Sequence, residues 1–271
     1  MSLPKISIIT VVLNGEIHLE RCINSILGQQ YPDLEYIVID GGSTDGTLSI
    51  LARYQDRINK LVSEKDRGIS DAFNKGLLLA TGEIIGIINA DDWLESNALR
   101  EVAAGIEVNS EIFYGHILQW FGNKATEASA NHLLLKKRMT INHPAVFVRK
   151  KVYDQIGYFN ENYKVAMDYE WLLRCIKGKI VFQYTEKVLV NMKMEGISMR
   201  YWKAGLKDVK IAKDSILGGS FNSTFYFYYQ VFATYLSLSL HNSKFEGLLR
   251  LYQLYFSPVK KRELISISKT K

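Results

Sequence analysis

The feature that most limits what this chain can fold into is Glu83-Ile84-Ile85-Gly86-Ile87-Ile88-Asn89-Ala90-Asp91-Asp92-Trp93, an apolar run that stops at two adjacent carboxylates. Residues 84–88 read as a strand buried on both faces, the kind found at the centre of a parallel sheet. Ligands of open α/β sheets sit beyond the carboxyl ends of the strands. Two carboxylates at such an end repel one another unless something positive shares them, and a hard divalent cation that also grips a diphosphate does so. The competing reading is a helix cap. A cap accounts for one acidic residue, and Ser96 or Asn97 could supply it instead, so this stretch alone leaves both readings open.

The chain before it repeats the pattern. Residues 6–13 form a β-branched first strand that breaks at the turn signal Asn14-Gly15. Leu19, Cys22, Ile23, Ile26 and Leu27 then have the spacing of an amphipathic helix. Residues 34–39 form a second strand ending in Asp40, followed by the loop Gly41-Gly42-Ser43-Thr44-Asp45-Gly46-Thr47 and a helix carrying Leu48, Leu51 and Ile58. A short strand over 60–63 leads to Glu64-Lys65-Asp66-Arg67-Gly68 and a helix with Ile69, Ala72, Phe73, Gly76, Leu77 and Ala80 on one stripe. A βαβαβαβ order implies parallel strands and right-handed crossovers. Asp40, Asp66 and the Asp91-Asp92 pair then converge on one sheet edge, more acid than helix caps require. The glycine-rich loop lacks the G-x-G-x-x-G spacing, and no G-x-x-x-x-G-K-[ST] is present. A backbone wrapped around a base or ribose and a tight strand–helix turn both fit it.

Beyond the acidic pair, Leu99, Val102, Ala103 and Ile106 predict a helix and residues 111–118 a strand. Residues 119–140 lack periodicity and read as a loop-rich crossing, with Lys136-Lys137-Arg138 as a solvated face. Ile141-Asn142-His143-Pro144 opens a second half, followed by a strand over 145–148; His143 is either structural or a ligand-binding residue. Tyr169, Leu172, Leu173 and Ile176 give a further helix its apolar stripe, which puts Asp168 at the N-terminal end. A cap is one reading of Asp168, and a rigidly held general base is the other.

These stretches, in this order, resemble the family 2 glycosyltransferases of the GT-A fold over roughly residues 5–200. The resemblance is carried by Ser7-Ile8-Ile9-Thr10 with Asn14, by 39–47, by 63–68 with Asp71-Ala72-Phe73-Asn74-Lys75-Gly76, by Asn89-Ala90-Asp91-Asp92 and by 167–174. It implies an α/β fold with a mixed, mainly parallel sheet flanked by helices. It implies a nucleotide-binding half over 1–95 and an acceptor half over 96–200; residues 201–271, beyond it, read as a helical, aromatic and basic extension. By match to the family's motifs, Thr10, Asn14, Asp40, Asp66 and Asp91 bind the nucleotide sugar, Asp92 holds a divalent metal (Mn²⁺ or Mg²⁺), and Asp168 is the catalytic base of an inverting reaction. The implied donor is a nucleoside-diphosphate sugar, most simply a UDP-sugar, and the implied acceptor is a hydroxyl of a glycan or lipid-linked molecule. The sequence departs from the pattern in three places. Leu13 stands where many members have an aromatic residue, Met167 where many have glutamate, and residues 191–198 lack the late histidine that many place near the metal or diphosphate.

Charge separates the catalytic part from the tail. Residues 1–192 hold 21 Lys+Arg against 23 Asp+Glu, whereas 193–271 hold 13 against 5. The first part is therefore no nucleic-acid binder by charge. Residues 215–240 carry no charge but include polar residues throughout, too polar for a membrane span. Phe225, Tyr226, Phe227, Tyr228, Tyr229, Phe232 and Tyr235, with Arg250, Lys260, Lys261 and Arg262 beyond, suit peripheral contact with an anionic membrane; packing on the core or on a second subunit is the alternative. Cys22 and Cys175 offer no disulfide framework, and no secretory signal is visible. The expectation is a cytoplasmic enzyme on the inner face of the membrane, in surface-polysaccharide assembly. Two other functions compete. A sugar-nucleotide nucleotidyltransferase would need a basic N-terminal triphosphate loop, and Val11-Val12-Leu13-Asn14-Gly15 has no cation. A non-catalytic binding subunit would not need Asp40, Asp91, Asp92 and Asp168 together.

Overall fold

A computed structural model of the chain describes residues 3–194, 201–219, 224–225, 227–232, 235 and, as backbone, 261–263. The first half is the expected alternation: β1 (Ile6–Val12), α1 (Leu19–Leu27), β2 (Leu34–Asp40), α2 (Thr47–Arg53), β3 (Lys60–Ser63), α3 (Ile69–Leu79) and β4 (Ile84–Ile87). All four strands are parallel, with β1 between β2 and β4, so that Ile9 pairs with both Ile37 and Ile87. β1 is buried along its whole length because both faces are covered. Ile9 and Val11 enter the core under α3, while Ile6, Ile8 and Val12 enter the core under α1. That double burial is why the strands read as unbroken apolar runs rather than as alternations.

The second half runs β5 (Trp93–Leu94), α4 (Ala98–Gly105), β6 (Ile112–Phe121), β7 (Lys124–Ala128), β8 (Val146–Arg149), α5 (Lys150–Ile156), α6 (Met167–Lys177), β9 (Phe182–Lys193), α7 (Trp202–Lys213) and β10 (Lys261–Glu263). The sheet order is β10-β7-β6-β8-β4-β1-β2-β3, with β9 against β5 and β6. Here the sheet becomes mixed: β8 is antiparallel to β4 and β6, and β9 is parallel to β6.

β5, α5 and β10 were not expected, the last being a strand within the extension read as helical, and two further strands depart more from the sequence reading. The crossing over 119–140 contains the end of β6 and all of β7, a hairpin closed at Gly122 with φ +58°. The longer omission is β9, twelve residues that were not read as a strand. Its Phe182, Tyr184, Val188, Val190 and Met192 do alternate, but Glu186 interrupts the pattern where β9 bulges against β6.

α7 is not detached from the catalytic part. Ala212 is fully buried in the core under α3 and α6, and Asp208 accepts main-chain N–H bonds from Lys164, Val165 and Ala166 at 3.0, 2.9 and 3.3 Å. Farther on, Phe225, Tyr228, Phe232 and Tyr235 are each more than 60% exposed. No helix among the described residues is long and apolar enough to cross a membrane. Tyr226, Arg250 and Lys260 lie outside the described residues, and of Lys261 and Arg262 only the backbone is described.

Close approach of α3 to β1 depends on Gly76, where a Cβ would lie 2.4 Å from Ile9 Cγ2. Alanine favours a helix over glycine by about 1 kcal/mol, whereas overpacking costs about 1–3 kcal/mol. Gly76→Ala is therefore expected to lower the denaturant midpoint, and an unchanged or raised midpoint would mean that α3 moves away freely.

Candidate active site

Asp40 ends β2, and Asp66 and Asp91-Asp92 follow β3 and β4; the carboxyl ends of the three strands share one edge of the sheet. The loop after β1 is locked to the loop after β2 by side chains of both. Asn14 adopts φ +53°, a conformation asparagine tolerates better than most residues. Its Oδ1 accepts the Thr44 N–H at 2.8 Å, while its own N–H donates to Ser43 Oγ at 2.7 Å. Gly46 N–H donates to Glu16 Oε2 at 2.7 Å, and Gly15 N–H to Thr47 Oγ1 at 2.9 Å.

Asp40 is fully buried and accepts bonds from Ser63 Oγ at 2.7 Å and from the Gly42 and Ser43 amides. It therefore shapes the loop that follows it. Asp66 accepts from Lys75 Nζ at 2.7 Å and lies so close to Gly41 that a Cβ there would be 2.6 Å from Asp66 Oδ2. Leu13, 63% exposed, stands on the same glycine and leaves an apolar surface beside it. Thr10 lies in β1, beneath this group. It has no exposed surface, and its hydroxyl accepts from Tyr36 Oη at 3.2 Å and lies 3.7 Å from Cys22 Sγ.

The acidic pair is the electrostatic centre. Asp92 is buried, and Asp91 is half-buried. Burial pushes both carboxyls up, and the charge of Asp91 pushes Asp92 well above the usual range. What opposes this comes from three elements. Lys193 N–H, at the end of β9, donates to Asp92 Oδ1 at 3.0 Å, and Asn89 Nδ2 donates to Asp92 Oδ2 at 3.2 Å. His18, Lys193 and Arg21 hold Asp91 down by charge, with Lys193 Nζ 2.8 Å from His18 Nε2 and Arg21 stacked over the Trp93 ring at 3.3 Å. Lys193 thus brings a cation to the stretch that lacks the late histidine; residues 195–198 of that stretch lie outside the described residues.

Among the described residues no group of three or more His, Cys, Asp and Glu side chains is gathered. The donors present are Asp91, Asp92 and Asn89 Oδ1, a buried oxygen with no hydrogen-bond partner. They are hard oxygen ligands, a set that suits Mg²⁺ or Mn²⁺ when substrate phosphates and water complete the shell. The residues fit such an ion.

Asn89 also lines a cleft of about 380 Å³ that contains Asp168 and His143. Asp168 is the second residue of α6, with Tyr169 N–H donating to its Oδ1 at 2.7 Å. Burial pushes its carboxyl up to about 6, opposed only by main-chain N–H groups, its own and that of Tyr169. A carboxylate tuned toward neutrality in a cleft is suited to accept a proton. His143 stacks on Phe73 at 5.0 Å, and burial lowers its imidazole to about 4, so the ring is neutral.

A half-parallel sheet with an acidic pair at the end of its central strand and a tuned carboxylate across an adjoining cleft defines a glycosyltransferase of GT-A architecture. The chain belongs to glycosyl transferase family 2, whose model matches residues 7–172. It is 33% identical over 204 residues to a PGL/p-HBAD biosynthesis glycosyltransferase of Mycobacterium tuberculosis, covering 70% of this chain and 77% of that protein. It is 27% identical over 207 residues to the glycosyltransferase AglE of Haloferax volcanii, covering 69% and 66%. Among solved structures, S. aureus TarS residues 1–349 in complex with UDP-GlcNAc superposes with TM-score 0.65 at 21% identity, covering 93% of this chain and 76% of that one. The mannosyltransferase PcManGT of Pyrobaculum calidifontis, in complex with GDP-Man and Mn²⁺, gives 0.63 at 18% identity, covering 81% and 66%.

His18, Arg21, Asn89 and Lys193 were not among the candidates drawn from the sequence. Asn89 adjoins the acidic motif and was legible as part of it. Lys193 is recognisable only once β9 is seen to end beside Asp92.

The raised Asp168 pKa has two consequences that can be measured together. Its folded value lies above the unfolded value of about 4, so the charged form opposes folding. That opposition is fully present above pH 6 and vanishes as pH falls below 4. Asp168→Asn is expected to raise stability at pH 7.5 by up to about 2 kcal/mol while lowering kcat about 10²-fold or more. The wild-type kcat/KM should fall below pH 6. Loss of stability in the variant, read by thermal melting, would make Asp168 a structural cap.

Proposed function

We infer that this family 2 enzyme transfers a sugar, with inversion, from a nucleoside-diphosphate sugar to an acceptor hydroxyl, in the assembly of a surface glycan or glycolipid. The observation that carries the reading is the joining of two chemistries by one residue: Asn89 bonds Asp92 and lines the cleft of Asp168.

In this reading the loops after β1 and β2 receive the nucleotide. Asn14 and Asp40 hold their shape, Leu13 and Gly41 face the base, and Asp66 borders the pocket. Asp91 meets the ribose. A UDP-sugar is the proposed donor; TarS is described with UDP-GlcNAc and PcManGT with GDP-Man.

Asp92, with Asp91 and Asn89 Oδ1, would hold a divalent metal, which supplies positive charge to the diphosphate oxygens as they leave. Lys193 and Arg21 add fixed positive charge at the same place, in a partly buried setting where it acts more strongly than in water. Asp168 accepts the proton of the attacking hydroxyl on the cleft side. That proton must go somewhere, because an alcohol does not ionise near neutral pH and its oxygen gains positive charge as it attacks.

Hydrolysis and transfer from a panel of nucleotide sugars, with and without Mn²⁺ or Mg²⁺, tests this function. Asp92→Asn is expected to abolish most turnover with the fold intact, since it removes a buried charge that Asp91 already opposes. Full wild-type activity after complete chelation would remove the metal from the proposal, and no turnover of any donor would favour a binding subunit.

The exposed side chains of Phe225, Tyr228, Tyr229, Phe232 and Tyr235 and the basic composition beyond them support peripheral attachment to the inner face of an anionic membrane. The full-length protein is expected to co-sediment with phosphatidylglycerol-containing vesicles, less so at high salt. A chain ending at Gly219, which keeps α7, should stay in the supernatant. Equal sedimentation of both would place the contact elsewhere.

A further inference from the structure

The cleft that contains Asp168 has walls unlike those expected for a sugar. Met139, Met167, Met192 and Met194 line it, together with Leu206 and Val209 of α7. Its charged members among the described residues are Asp168 and Lys164 alone. Each hydroxyl of a sugar ring buried here without a partner would lose roughly tenfold in affinity, and thioethers and alkyl groups offer no strong partner. Thioethers instead adapt their shape to apolar bodies and contact aromatic rings favourably.

Besides Asp168 and Lys164, polar side chains of Asn89, Asn142, His143, Tyr169 and Trp202 interrupt the apolar surface. Asn89 Oδ1 is buried without a hydrogen-bond partner, and the neutral ring of His143 has aromatic neighbours but no hydrogen bond among the described residues. A pocket that is mostly apolar, with a few polar groups unspent, recognises an apolar molecule through one or two of its atoms.

On the reading that Asp168 is the base, we propose that the acceptor carries its reacting hydroxyl directly on an apolar body, an aryl or long-alkyl aglycone, rather than on a sugar. The apolar body lies between α7 and the methionines. The hydroxyl reaches Asp168, with the His143 ring as a further partner. α7 is therefore a specificity element that a sugar-accepting enzyme would not need in this form.

The test uses the full chain and two apolar probes, 4-butylphenol and 1-octanol, with methyl glucoside as the polar comparison. Binding is read from tryptophan fluorescence, to which Trp202 of the cleft contributes, and transfer from whichever nucleotide sugar the protein hydrolyses. At least one apolar probe should bind at least tenfold more tightly than methyl glucoside and accept sugar; the better of the two distinguishes an aryl from an alkyl acceptor. Leu206→Asp should weaken that probe at least tenfold, Met139→Gln should weaken it less, and Leu206→Met should restore it. All three should leave nucleotide-sugar hydrolysis unchanged, which also shows that they fold. Preferred binding and transfer to methyl glucoside, or equal probe binding in Leu206→Asp, would overturn the proposal while hydrolysis still upheld the transferase. Loss of hydrolysis in the wild-type protein would instead defeat the transferase reading, and the binding arm would still decide the character of the cleft.

Discussion

Two carboxylates forced together at the end of a buried strand set the terms for the rest of this molecule. Glu35, near the opposite edge of the sheet, shows what an ordinary buried acid looks like. Burial pushes it up, but bonds from Ser7 and Thr81 and the Lys60 ammonium at 3.0 Å bring it down to about 2. Its charge is settled locally. Asp91 and Asp92 have no such closure: each raises the cost of the other, and the groups that offset them come from α1, from the loop before it and from the far end of β9. The unresolved part of that repulsion is available to a cationic ligand. A stable fold tolerates it because the central strands β1, β2 and β4 are buried on both faces.

The same contrast explains how the molecule divides its labour. The donor side is built from short strand–helix loops braced by side-chain bonds, with Asn14, Glu16, Asp40 and Ser43 each spent on holding backbone. Little there is left to move. The cleft side has fewer internal bonds and more unspent ones, at Asn89 Oδ1, the His143 ring and Asp168. On the proposed reading, a rigid seat for the donor beside a softer, methionine-lined cleft lets one half stay fixed in chemistry while the other adapts in shape.

Much of the first half was legible in the sequence because its rules are local. Apolar runs of strand length, amphipathic spacing and acidic residues after successive strands gave the parallel order and the edge on which the site lies. The second half was less so because its pairings are long-range. β9 binds β6 across about seventy residues and bulges where Glu186 breaks the alternation, and residues 124–128 join the sheet as the return arm of a hairpin that β10 pairs on its other side. Thr10 shows a different limit. A residue matched by motif lies beneath the site in a hydroxyl–thiol cluster, and no pattern of neighbours in the sequence distinguishes a wall from its foundation. The cations around Asp91 were hidden for the same reason as β9, since spatial order, not spacing, puts Lys193 beside His18.

Asp208 holds three consecutive amides, Lys164 to Ala166, with a single oxygen. The chain just ahead of Asp168 is thereby pinned to a helix that begins beyond the family-matched region, which ends at residue 172. In evolutionary terms this is a socket. A lineage can exchange the apolar face of α7, and with it the molecule that accepts the sugar, without retuning the donor half, provided the incoming helix presents an acidic side chain at that one turn. Acceptor preference among relatives with this arrangement should then track the residues one and two turns from that acid more closely than it tracks anything in the nucleotide-binding loops.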